Sequence, residues 1–195
     1  MKGGLANGRL LPIYAVAFLL LGGYVTLFNY IGYLLGKPPY GLSQSVIGML
    51  FVFQLVGSWS SFLFGKLADR HSRAGLIILG VVLALAGAAL TLGGSLALTI
   101  IGMILFACGF FAGHTVASGW VGVIAPRPLK VYASSLYLLF YYLGSSLLGT
   151  TGGAFLTAYG WHGVIGLIAG LFAIVVMLAA AMTGRSAIGR VGEQR

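Results

Sequence analysis

Acid–base, nucleophilic and metal chemistry need side chains that this sequence nearly lacks. Its 195 residues include two acids, Asp69 and Glu193, three histidines, His71, His114 and His162, and one cysteine, Cys108. A lone cysteine permits no internal disulfide and fits no metal-ligand spacing, so neither a metal nor another cofactor is expected. A nucleophile–base pair would have to come from Ser118 and His162. His114 is the one titratable side chain well inside a long apolar run. There it could shuttle protons or bind a substrate; equally, it could be a neutral histidine hydrogen-bonded between helices. The remaining chemistry is neutral hydrogen bonding. Gln54 and the pair Tyr141-Tyr142 fall about ten residues, or ~15 Å at 1.5 Å per residue, into their apolar runs. With Asn29 they are the candidates for lining a substrate path.

The surrounding sequence decides what can position such residues. Hydrophobic residues make up 59% of the chain and charged ones 7%, with a mean hydropathy of +1.05, which leaves too little to cover a soluble domain. A net charge of +9 invites a nucleic-acid reading, but the basic residues lie scattered between apolar runs, and no nucleic-acid partner is expected. A helix crossing a bilayer needs about 20 apolar residues, because only a helix satisfies its own backbone there. Six runs qualify: Leu11–Leu35, Ser45–Phe64, Ala74–Leu92, Leu96–Trp120, Val131–Phe155 and Gly163–Met182. The first is too long for a cleavable signal peptide and reads as a span. Lys37-Pro38-Pro39-Tyr40-Gly41 and Pro126-Arg127-Pro128 are strong breaks, and Gly93-Gly94-Ser95 is a weaker one.

These runs predict an all-α, polytopic membrane domain at 11–183, between a cytoplasmic segment at 1–10 and a cytoplasmic basic tail at 184–195. Lys2, Arg9, Lys66, Arg70, Arg73, Arg127, Lys130, Arg185, Arg190 and Arg195 fall in one set of loops and ends, and only Lys37 in the other. Ten against one places the first set, with both termini, in the cytoplasm. Runs three and six carry no hydrogen-bonding side chain up to Leu90 and Met182, whereas the other four do. Polar groups avoid lipid, so runs one, two, four and five should face one another or water. The order polar, polar, apolar occurs twice, as in the three-plus-three repeats of secondary transporters.

The cytoplasmic loop after run two reads Gly65-Lys66-Leu67-Ala68-Asp69-Arg70-His71-Ser72-Arg73. It resembles the G-x-L-A-D-R-x-G-R loop of the major facilitator superfamily, departing from it at Ser72 and at Ala74. The resemblance implies a conformational loop in which Asp69 sits against a helix N-terminus of an opposite bundle, with Gly65, Arg70 and Arg73 beside it. Three further stretches are similar to the C-terminal six helices of YnfM-type bacterial inner-membrane transporters. They are His114-Thr115-Val116-Ala117-Ser118, Ala133-Ser134-Ser135-Leu136-Tyr137 with Tyr141-Tyr142-Leu143-Gly144-Ser145-Ser146, and Tyr159-Gly160-Trp161. The arginine usual in the fourth helix of that family's N-terminal half is absent here. The resemblance therefore implies one six-helix half of such a transporter, paired with an N-terminal half or another copy of itself. It also implies proton-linked efflux of a small molecule across the bacterial inner membrane.

Gly144, Gly149, Gly152 and Gly153 end run five, with a G-x-x-x-G pair at Gly149 and Gly153. This spacing suits close helix packing. It also resembles a degenerate antiporter motif without its proline, and packing is the favoured reading. A rhomboid-like intramembrane enzyme is the alternative, and it fares poorly. Ser118 lies near the cytoplasmic end of its run and His162 on the outer side, most of a ~30 Å core apart. A non-transporting membrane scaffold is the other alternative.

Overall fold

The computed structural model describes residues 10–192, and side chains as far as residue 183. The expected cytoplasmic segment before Leu10, the side chains of the basic tail and Glu193 lie outside the described residues. Among those described, every element is a helix. They are α1 (Leu11–Gly36), α2 (Gln44–Leu67), α3 (Arg73–Leu90), α4 (Leu96–Ile124) and a long helical run, Lys130–Gly192. Each is long and apolar enough to cross a bilayer.

The helix ends follow from local chemistry. Proline in the first turn starts α1, where its missing N–H costs nothing. Ser43 caps α2 by accepting from the Val46 N–H at 3.4 Å, and Ser72 caps α3 by accepting from the Gly75 N–H at 3.3 Å. Ser72, which departs from the family's loop pattern, thus serves as a helix cap. The weak break at Gly93-Gly94-Ser95 is real, and Gly94 takes φ 68°, a conformation natural to glycine.

Two features differ from expectation. A 3₁₀ turn, Phe51–Phe53, tightens the middle of α2 just before Gln54. The expected loop between Phe155 and Gly163 is not a loop. Helix continues through it, and only Gly160 leaves helical values, at φ 65° and ψ −156°. No proline stands there to end the helix, so one glycine makes the whole turn. The chain folds back so tightly that a Cβ on Gly163 would lie 2.7 Å from the Phe155 carbonyl oxygen. The arms on either side, residues 130–159 and 161–192, are called α5 and α6.

The most enclosed helix is α1, which runs along α5. Tyr14 stacks on Phe140 with centroids 5.5 Å apart, and the Thr26 hydroxyl donates to the Leu148 carbonyl at 3.0 Å. Helix α2 meets α4 where Gly57 faces Ala107 and the Ser60 hydroxyl donates to the Cys108 carbonyl at 2.7 Å. The seam between α3 and α4 brings backbone against backbone at its glycines. A Cβ on Gly80 would lie 2.8 Å from the Gly109 carbonyl oxygen, and one on Gly87 would lie 2.6 Å from that of Gly102. Helix α6 closes the core through Phe172, whose ring lies parallel to Phe106 at 5.8 Å. Trp161 Nε1–H also donates to Thr91 Oγ1 at 2.9 Å. Interhelical hydrogen bonds within a bilayer average about 0.6 kcal/mol each, so close backbone packing, not these bonds, holds most of the bundle together.

Candidate functional site

A polar, aromatic patch forms where α1, α2, α4 and α5 converge. The Tyr24 hydroxyl on α1 donates to Gln54 Oε1 on α2 at 2.6 Å. The Tyr24 ring stacks on Phe110 of α4 at 4.0 Å and meets Phe111 edge-on at 5.8 Å. One turn further along α4, His114 lies parallel to Phe110 at 5.8 Å and stacks on Tyr141 of α5 at 4.6 Å. Its Nδ1 pairs with the Tyr137 hydroxyl at 3.0 Å. Tyr142 meets Tyr141 edge-on at 5.4 Å and is 64% exposed. Nothing in the patch carries a formal charge, so it can bind by stacking and by neutral hydrogen bonds.

Four of the five expected path residues, Gln54, His114, Tyr141 and Tyr142, therefore join one patch. Asn29 does not: it is exposed on α1, its amide facing Gly149 of α5. Tyr24, Phe110 and Tyr137 belong to the patch, although none of them is among the path candidates read from the sequence. The sign of Phe110 and Tyr137 is a ladder at four-residue spacing, Phe106, Phe110 and His114 on α4 and Tyr137 and Tyr141 on α5, which puts those side chains on one helix face; Tyr24 has no such sign. His114 bridges α4 and α5 through Tyr137 and also borders a pocket of about 190 Å³ with Ser118, Ser134 and Tyr137.

The loop residues lie apart from this patch. Gly65 and Lys66 belong to the end of α2, Asp69 and Arg70 are exposed, and Arg73 opens α3. Asp69 makes no ion pair with Arg73 or any other residue among those described. Gly144, Gly149, Gly152 and Gly153 face α1, where Cβ atoms added to them would meet Phe18, Val25, Thr26 and Tyr30. In the enzyme alternative, the Ser118 hydroxyl is engaged with the Thr115 carbonyl at 3.0 Å, while His162 is exposed at the start of α6.

The family model described as Major Facilitator Superfamily matches residues 10–193. An uncharacterized MFS-type transporter of Bacillus subtilis, YybF, is 42% identical over 177 residues, covering 91% of this chain and 44% of its own length. The inner membrane transport protein YnfM of Escherichia coli is 46% identical over 171 residues, 87% of this chain and 41% of its own length. An uncharacterized transporter of Buchnera aphidicola subsp. Schizaphis graminum is 39% identical over 175 residues, or 90% and 42%. The chain spans about two-fifths of the length of these relatives.

Proposed function

The chain belongs to the major facilitator superfamily, and from that premise we propose that it is the C-terminal, six-crossing half of a secondary transporter. Its work is to carry a small molecule across the bacterial inner membrane by rocking against a second six-helix bundle, in proton-linked efflux. The observation that carries this reading is the uncharged patch shared by α1, α2, α4 and α5, which is exposed at Tyr142. Six crossings are supported by the fold-back at Gly160. The run Lys130–Gly192 has 63 residues, about 95 Å of helix at 1.5 Å per residue and three times a ~30 Å core. No carboxylate lies in any apolar run, so a proton-carrying acid belongs to the partner bundle unless His114 does that work.

Orientation is directly testable. With both termini cytoplasmic, a cysteine placed beside Arg127, in a chain whose Cys108 has been replaced, is expected to stay unmodified by an impermeant outside reagent. One beside Lys37 is expected to react. The reverse pattern would sink the topology.

The loop offers a second test. Asp69 is exposed, unpaired among the described residues and the only acid in a basic loop. Against a helix N-terminus of the partner bundle, its charge is worth about 0.3–1 kcal/mol. Asp69→Asn is therefore expected to slow transport by the assembled carrier by about 2- to 5-fold, through a weakened latch, with insertion and amount in the membrane unchanged. Transport at the normal rate would reduce Asp69 to an ordinary loop residue.

A further inference from the structure

We propose, resting on the transport reading above, that this bundle receives an uncharged planar ring bearing a hydrogen-bonding group. The ring lies against Tyr141 and Tyr142, with its polar end in the pocket between α4 and α5. The two tyrosines make a corner. Tyr141 is half-buried and backed by His114 at 4.6 Å, while Tyr142 stands at 76° to it and is largely exposed. A flat face and an adjacent edge suit an aromatic guest, because rings prefer offset-stacked and edge-on neighbours.

The pocket reaches Tyr137, about one helical turn, ~5.4 Å, from Tyr141 along α5. It measures about 190 Å³ and is bordered by His114, Ser118, Ser134 and Tyr137, with Val121 and Leu138 as its apolar sides. Its polar groups are partly spent. His114 Nδ1 is taken by the Tyr137 hydroxyl at 3.0 Å, and Ser118 gives its proton to the Thr115 carbonyl at 3.0 Å. His114 Nε2, the lone pairs of Ser118 Oγ and the Ser134 hydroxyl remain without partners among the described residues. These groups can both donate to and accept from a hydroxyl or carbonyl.

Charge separates this class from others. Residues 11–36, 44–65, 74–124 and 131–184 contain no Asp, Glu, Lys or Arg. A charged group at the bilayer centre is costly without a partner of opposite charge, so the part of a substrate that meets this bundle is neutral.

Three probes test the proposal on the full chain in lipid nanodiscs, by equilibrium dialysis against empty discs to subtract partitioning into lipid. 2-Naphthol is planar, neutral and hydroxylated. Decahydro-2-naphthol keeps the hydroxyl and loses the planarity, and naphthalene-2-sulfonate keeps the planarity and adds charge. Saturable binding of 2-naphthol is expected, with both comparison compounds at least about 10-fold weaker. Tyr142→Leu is expected to weaken 2-naphthol about 2- to 10-fold, since the exposed ring contributes stacking and little to folding. Ser134→Ala should weaken 2-naphthol about 2- to 10-fold, because the guest hydroxyl loses a hydrogen-bonding partner. Equal binding of the decahydro compound, tighter binding of the sulfonate, no saturable 2-naphthol binding, or indifference to Tyr142→Leu would each overturn the proposal. Binding is read here without flux. A paired carrier that moves nothing would therefore refute the transport reading alone, and one that moves only non-planar or charged solutes would refute this inference alone.

Discussion

Gly144→Ala is expected to unfold or badly destabilise the bundle, while Gly166→Ala leaves it unchanged. A Cβ on Gly144 would fall on the Phe18 carbonyl oxygen of α1, with the Phe18 carbonyl carbon at 2.6 Å and its Cα at 2.7 Å. All three are backbone atoms, so no rotamer change relieves the overlap, and α1 and α5 must move apart. That separation loosens the Thr26 hydroxyl from the Leu148 carbonyl, the Tyr14 ring from Phe140, and the seat of Leu148 against Gly22. Overpacking against side chains costs about 1–3 kcal/mol, and overlap with backbone belongs at the top of that range or beyond it. At Gly166 of α6 an added Cβ meets nothing within 4 Å. Thermal melting of both variants in mild detergent is the measurement: a large fall for Gly144→Ala beside a wild-type value for Gly166→Ala. Equal melting of the two would show that the α1–α5 seam has room that its packing denies.

That seam also marks the limit of what the sequence makes legible. The G-x-x-x-G pair at Gly149 and Gly153 is visible as a packing face because its spacing is one helical turn. The α3–α4 seam is not: Gly80 and Gly87, like Gly102 and Gly109, stand seven apart, two turns. Their meaning appears only once the two helices are known to meet there. The helical bundle itself is readable, because each apolar run has a spanning length. The turn at Gly160 was not, since nothing in Phe155–Gly163 distinguishes a loop from two helices joined by one glycine. The patch divides in the same way. Gln54, His114 and Tyr141 announce themselves as polar groups at mid-helix depth. Tyr24, Phe110 and Tyr137 look like core aromatics until neighbouring helices bring them against those groups. Asn29 is a polar group of α1 that the patch does not include, because the rotation of α1 sets its amide against Gly149.

Met1–Arg195, reconstituted alone into liposomes as a confirmed monomer, is expected to move no more substrate than empty liposomes do. Four helices bring polar groups to the patch, and Gln54, His114, Tyr141 and Tyr142 can survive there without a partner. Neutral polar groups cost less in a bilayer than charges and already pair with neighbours such as Tyr24 and Tyr137. The lone bundle is therefore expected to be stable enough to purify, which makes the test practicable. On the half-transporter reading it supplies only one wall, however. A solute resting on Tyr141 and Tyr142 would have nothing opposite, so no path alternates between the two faces of the membrane. Asp69 would also lack the helix end it is expected to meet. Co-reconstitution with a second six-helix bundle should restore flux. An N-terminal half is favoured over another copy, because a pair of identical bundles would have to couple to protons without a carboxylate in any apolar run. Mass determination in detergent separates the cases. Flux from a verified monomer would refute the half-transporter reading, whereas flux from a dimer would leave that reading intact and replace only the choice of partner.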